Sequence, residues 1–381
     1  MTTVLLTLGR LPKALALARA CKRVGCRVLL AEPFRWHLCR PSRDIDECFR
    51  VTAPNVSRGT YLDELIGIVE RESVDLIVPV SEEALHVVAL HSRLPDGCRL
   101  WAAEQNDLHT LHDKLRFAEL AVQRSLTVPE TYSADDPGAR ELAIRQAFVE
   151  KPAHSCSGIG LRIANAGEAV SGDSSGTLVQ AFVEGEHISS LSIVHEGREI
   201  GSVFYRGLVF AGTVAVCFER VDDCLPAQQW VHDFLADCDY SGFLAFDFII
   251  DEQGRAQAIE CNPRTTSGVH FFDEVSLGNA LLNPRVATEI KYAQQTRFQW
   301  AYSTLTEAYA ALFRFRPREF ARCFREMLRA RDVVWSLHDP LPFLLMTPMS
   351  WEILWPAMSS SATLGEATQQ DIAWFGSGDA A

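Results

Sequence analysis

The sequence predicts an α/β protein with a doubly wound parallel sheet at its N-terminus, and three observations predict it. Residues 1 to roughly 100 alternate apolar runs with amphipathic stretches, the pattern of a parallel sheet with helices on both faces. Two apolar runs, the first starting at Phe243 and the second ending at Asn262, flank the turn Asp251-Glu252-Gln253-Gly254 and so form an antiparallel hairpin. Beyond Asn283 the periodicity becomes helical. With 381 residues and 48% hydrophobic content, the chain can bury a large core divided among two or three lobes.

In order, Val4–Leu8 reads as a strand, Leu11–Arg23 as an amphipathic helix, and the run from Arg27 to Glu32 as a second strand. A helix near Tyr61–Glu70 and a strand from Asp75 to Val80 complete the alternation. The turn after the first strand is Gly9-Arg10 rather than GxGxxG, so a dinucleotide cradle has little support. Ligands in such sheets bind beyond the carboxyl ends of the strands, which points at Gly9–Lys13 and Pro79–Glu83. There Arg10, Lys13 or, further on, Arg206 could hold an acid, and Glu82 and Glu83 an amine, against an equal reading as surface charge.

Asn106–Arg124 reads as one helix carrying Lys114, capped by Asn106 or Asp107. A helix near Pro137–Gln146 leads into the strand Ala147–Pro152, with Lys151 at its end. Ser155, Ser157, Gly158 and Gly160 follow in a small-residue loop able to bring backbone N–H groups against a polyphosphate. Thr177–Ile193 reads as a strand, a one-glycine bend and a second strand. Phe182 and Val183 could pack on a flat base while their backbone reads its edge; the alternative is a plain hairpin with buried aromatics. Arg314–Arg331 is a basic amphipathic helix whose arginines read as a solvated face. Pro340–Met358 is apolar, but four prolines and Glu352 make it a poor spanning helix, and it reads as a cap on the core.

The hairpin carries the chemistry. Period-two alternation puts Glu260 and Asn262 on one face, and the tight turn brings Asp247 beside them. Two carboxylates and an amide on rigid strands suit Mg2+, which keeps other positions for phosphate and water. Asp247 lies within the apolar run Phe243–Ile250, and a carboxylate drawn out of water needs a cation. Arg264 adds a fixed fork of donors for phosphate or carboxylate oxygens.

A net charge of −13 argues against nucleic acid, because phosphate-backbone binders need a basic stripe. Eleven cysteines without a CxxC pair read as reduced, mostly buried thiols of a cytoplasmic protein. Met1–Arg10 has no basic region before its apolar stretch and reads as a first strand rather than an export signal.

The ordered set of Lys114 on a helix, Val149-Glu150-Lys151-Pro152 with its small-residue loop, Val179–Glu186, and Asp247 followed by Glu260-Cys261-Asn262-Pro263-Arg264 resembles the ATP-grasp superfamily over nearly the whole chain. The similarity is closest to the branch containing mycosporine-glycine synthetase, through Gly9–Glu32, Ile77–Glu83, His112–Leu120, Ala258–Ser267 and Asp339–Phe343. The resemblance implies an N-terminal pre-ATP-grasp domain over 1–104, an ATP-grasp domain over 105–290 with a lid near 148–190, and a helical extension over 291–381. It implies that Lys114 and Lys151 hold the ATP phosphates, that the 155–160 loop closes over them, and that Gln180, Ala181, Phe182 and Val183 line the adenine slot. Asp247, Glu260 and Asn262 fall on its Mg2+ positions, where Mn2+ could substitute, and Arg264 on the arginine that steadies the transferring phosphate. His187 stands where a ribose-binding Glu is usual, with Glu186 as its possible replacement.

The activity implied is ADP-forming C–N ligation of a small carboxylic or enolic acid to an amine, an amino acid foremost, in natural-product biosynthesis. ATP-dependent carboxylation and a non-catalytic nucleotide-binding protein are the alternatives. The partners implied are small molecules, with a homodimer left open.

Overall fold

The computed structural model describes residues 1–154, 160–171, 176–287, 289–353, 355 and 368–376. The first strands, β1 (Thr3–Leu6), β2 (Arg27–Glu32), β3 (Glu47–Arg50), β4 (Leu76–Val78) and β5 (Arg99–Leu100), form a parallel sheet in the order β3-β2-β1-β4-β5. Every residue of β1 and β4 is buried. That is the expected state of a strand covered by helices on both faces.

A small antiparallel sheet follows: β6 (Thr131–Ser133), β7 (Phe148–Pro152), β8 (Arg162–Ala164) and β9 (Thr177–Ala181), in the order β6-β9-β7-β8. The large sheet is built from β10 (Gly185–His195), β11 (Arg198–Ala211), β12 (Val214–Arg220), β13 (Gly242–Asp251), β14 (Ala256–Asn262), β15 (Arg297–Gln299) and β16 (Arg331–Asp332). Its order is β14-β13-β10-β11-β12-β15-β16, and only β15 and β16 pair in parallel.

One face of this sheet packs Ile188, Phe204, Phe246 and Phe248 against Trp230 and Phe234 of the helix Leu225–Ala236. The other meets the N-terminal unit through Leu191, Ile193 and Val203, which share a core with Leu15, Leu17 and Val28.

Three expectations are corrected. The predicted helix Asn106–Arg124 is two helices, Gln105–His112 and Lys114–Gln123. Asp113 takes an extended backbone between them, and its side chain accepts from the N–H groups of Leu115 and Arg116. An Asx cap of this kind competes with helix continuation.

Second, β9 and β10 do not form a hairpin but belong to different sheets. Gly185 opens β10 at φ +159, where a Cβ would overlap the carbonyl oxygen of Ile250. Only glycine lets the chain enter the large sheet at that point. Third, the extension beyond 290 is not purely helical, because β15 and β16 complete the large sheet beside the helices Ala301–Phe313 and Pro317–Arg329.

The segment 368–376 returns to the N-terminal unit. Asn55 Nδ2 donates to the carbonyls of Gln370 (2.7 Å) and Ala373 (3.0 Å), and the Trp374 ring stacks on His109 with centroids 4.5 Å apart. No described helix is long and apolar enough to cross a membrane. The described cysteines carry no disulfide.

Candidate active site

In the hairpin, Asp247 lies opposite Glu260, and Ala245 opposite Asn262. Paired residues share a face and residues two apart share it too, so Asp247, Glu260 and Asn262 converge. Asn262 Nδ2 donates to Asp247 Oδ2 at 3.0 Å and to Glu260 Oε1 at 3.2 Å, while its Oδ1 accepts from Arg264 Nη2 at 3.0 Å. Ser189, opposite Asp247 on β10, donates its hydroxyl to Asp247 Oδ1. His187 Nε2 stands 3.8 Å from the same oxygen.

Two buried lysines meet this centre. Lys114, first residue of its helix because Asp113 interrupts the run, places Nζ 3.8 Å from Glu260 Oε2. Lys151 on β7 donates to Gln180 Oε1 at 2.9 Å and to the Ile259 carbonyl on β14 at 3.0 Å. That second bond shows that the small and large sheets face each other across the site. Gln180 is oriented in turn by its own donation to Thr131 Oγ1 at 2.9 Å.

The electrostatics are asymmetric. Burial, then the neighbouring Glu260 charge, pushes the Asp247 carboxyl up to about 6. Burial acts the same way on Glu260, but Lys114 and Lys151 outweigh it and hold that carboxyl down at about 2. Burial lowers Lys151 to about 8, and Glu260 only partly offsets this. At neutral pH the site therefore holds one firm carboxylate, one readily protonated carboxyl and an incompletely compensated ammonium.

The described residues contain no group of three His, Cys, Asp or Glu side chains placed to hold a metal. A cation at the hairpin would have two carboxylates and one amide from the protein, a set that suits Mg2+ when phosphate and water supply the rest. The Asn262 amide N–H groups now lie where positive charge is called for, between the two carboxylates.

Arg264 joins the centre to the N-terminal unit. Its Nε donates at 2.6 Å to Glu82 Oε1, in the loop after β4. Burial opposes ionisation of Glu82, but the charges of Arg264, Lys13 and Lys114 prevail and hold its carboxyl below the usual range. His112 Nε2 stands 3.9 Å from Glu82 Oε2, and burial drives its imidazole down to about 4, so it is neutral at physiological pH. Lys13 Nζ donates to Ser81 Oγ at 3.0 Å and to the Thr265 carbonyl at 2.8 Å.

Several residues singled out from sequence sit elsewhere or are otherwise engaged. Arg10 is fully buried; its guanidinium pairs with Glu32 and with Asp371 (2.6 Å) and lies 3.6 Å above the Phe34 ring, so it is a structural clamp rather than a solvated charge or an acid receptor. Glu83 is buried too, accepting from the N–H groups of Val80 (2.6 Å) and Ser81 (2.9 Å) and from Thr7 Oγ1 (3.0 Å).

Glu186 pairs in register with Ile250, whereas Asp247 pairs with Ser189. Glu186 is therefore on the opposite face from the metal-type centre, bonded to Arg206 at 2.8 Å, and does not replace His187 there. Phe182 and Val183 are half-buried in the link between the sheets, and the Phe182 N–H is engaged by the Ala147 carbonyl at 3.0 Å. Ser155, Ser157 and Gly158 lie outside the described residues. Sequence reading missed Ser189, Thr131 and His112. Only Ser189 carried a signal, the two-residue spacing that sets it on the His187 face.

Residues 111–268 match the family described as the ATP-grasp domain, and the fold is the ATP-grasp fold. Among solved structures, the biotin carboxylase domain of Hydrogenobacter thermophilus 2-oxoglutarate carboxylase, solved with MgADP, ADP and bicarbonate, is similar at 18% identity and a TM-score of 0.60, over 76% of this chain and 72% of that one. N5-carboxyaminoimidazole synthetase from Staphylococcus aureus is similar at 13% identity and TM-score 0.59, over 76% and 80% of the two chains. L-amino acid ligase from Bacillus licheniformis follows at 12% identity and TM-score 0.58, over 74% of each. No curated protein matches by sequence.

Proposed function

We propose that the chain is an ADP-forming C–N ligase. ATP phosphorylates a small carboxylic or enolic acid, and an amine, an amino acid foremost, displaces the phosphate. The observation that carries this reading is the convergence of Asp247, Glu260 and Asn262 with Lys114 and Lys151 between two facing sheets, beside a guanidinium held by Glu82. Phosphoryl transfer needs positioning and charge neutralisation rather than a nucleophilic side chain, and this set supplies both.

Asp247, Glu260 and Asn262 would hold Mg2+, which would supply positive charge against the ATP phosphates. Lys114 and Lys151 bind the phosphates. Gln180 orients Lys151, and Val183 supplies the backbone N–H for a base edge, since that of Phe182 is engaged. Arg264, fixed by Glu82, orients the γ-phosphoryl toward the acid oxygen. His187, on the Asp247 face, would contact the ribose. Water must be kept from the acyl or enol phosphate, which would otherwise hydrolyse; the segment 155–160 to which the sequence resemblance gives that task lies, Gly160 apart, outside the described residues. The domain limits 1–104, 105–290 and 291–381 belong to the same reading.

In the first step the acceptor oxygen bonds to the γ-phosphorus and ADP leaves; in the second the amine nitrogen bonds to the activated carbon and phosphate departs with that oxygen. Acceptor labelled with oxygen-18 should therefore deliver label to released phosphate, in an assay that supplies amino acids and candidate acids with MgATP. AMP and pyrophosphate as products, or label kept wholly in the organic product, would overturn the reading.

A further inference from the structure

The hairpin of the helices Ala301–Phe313 and Pro317–Arg329 sits on β11 and β12 through Ala308, Phe320 and Cys323. Its turn reads Phe313-Arg314-Phe315-Arg316-Pro317-Arg318. Arg316 N–H bonds the Ala311 carbonyl at 2.9 Å and Phe315 N–H that of Leu312 at 3.1 Å, the double closure that ends a helix with one left-handed residue, normally glycine. Here that residue is Phe315, at φ +55 and 91% exposed, and Phe313 beside it is 78% exposed. A bulky side chain in this conformation strains the backbone, and among the described residues it gains almost no packing in return.

The charge is also local. Residues 301–331 hold seven arginines against three glutamates, a net +4 in a chain of net −13. Two rings protruding between arginines suit a surface that is anionic outside and apolar just beneath.

We infer that this turn docks the protein on an anionic lipid bilayer, with Arg314 and Arg318 at the headgroup phosphates and Phe313 and Phe315 in the interfacial layer. Charge screening over about 8 Å at physiological ionic strength lets the turn act independently of the acidic remainder. A symmetric contact with a second copy would instead set two surfaces of net +4 against each other.

Co-sedimentation with phosphatidylserine/phosphatidylcholine vesicles tests this. Binding is expected to vanish with phosphatidylcholine alone and to weaken with salt. Phe315→Gly should raise the melting temperature, because glycine relieves the strain, while weakening vesicle binding about tenfold. Arg314→Glu with Arg318→Glu should weaken it by at least about tenfold. Absence of binding to phosphatidylserine vesicles, binding untouched by these variants, or variants that instead convert a sedimenting dimer to monomer would each overturn the proposal.

Discussion

Just beyond β1, Arg10 is fully buried with two carboxylates, Glu32 and Asp371, around one guanidinium. Burial opposes its charge, but the two partners more than restore it, and its pKa is raised. Between the antiparallel sheets Lys151 is buried as well, yet among the described residues its hydrogen bonds go to an amide oxygen and a carbonyl, and its pKa falls to about 8. The two clusters use similar groups and differ in completion. A cation fully matched by carboxylates holds the fold together, whereas a cation left short of negative charge retains affinity for an anion that arrives from outside.

The largest effect expected from breaking this contrast is on stability. Arg10→Met leaves Glu32 buried with no cation and should cost about 3–5 kcal/mol in urea unfolding. A loss under 1 kcal/mol would mean that the cluster is not the clamp described. Next, Glu260→Gln should reduce ADP release at least about a hundredfold with the fold retained, and wild-type ADP production at low Mg2+ would refute the metal assignment.

Lys151→Met should weaken nucleotide binding about tenfold in calorimetry while leaving stability unchanged or slightly raised, since it removes an under-compensated buried charge. The smallest effect is in pH. With Lys151 at about 8 folded and about 10.4 unfolded, the unfolded chain binds more protons between those values, so stability should rise with pH across that window. ATP affinity should fall over the same range, and both slopes should flatten in Lys151→Met.

Legibility in the sequence followed range. The β/α alternation and the hairpin that unites Asp247, Glu260 and Asn262 are local, set by period and turn chemistry, and could be read directly. The break at Asp113 could not, because an Asp within a helical pattern is tolerated as often as it caps, and periodicity does not distinguish the two. Nor could the Arg264–Glu82 bond, whose partners are 182 residues apart. Charge type alone left Arg10 and Glu83 between ligand contact and surface charge, and neither reading held: both are buried on internal partners, those of Arg10 and the Thr7 contact of Glu83 being distant in sequence. The strands β15 and β16 span three and two residues, too short for any periodicity to announce them.

The Arg10 clamp also has a history in time. Its second carboxylate lies 361 residues downstream of the arginine. At a ribosome rate of roughly 5–20 residues per second, this separates the two partners by roughly 20–70 s. Through that interval the nascent N-terminal sheet has only Glu32 with which to neutralise Arg10, and Asp371 can close the cluster only afterwards. The return of segment 368–376 is thus a late event in biogenesis, joining the last described stretch of chain to one of the first.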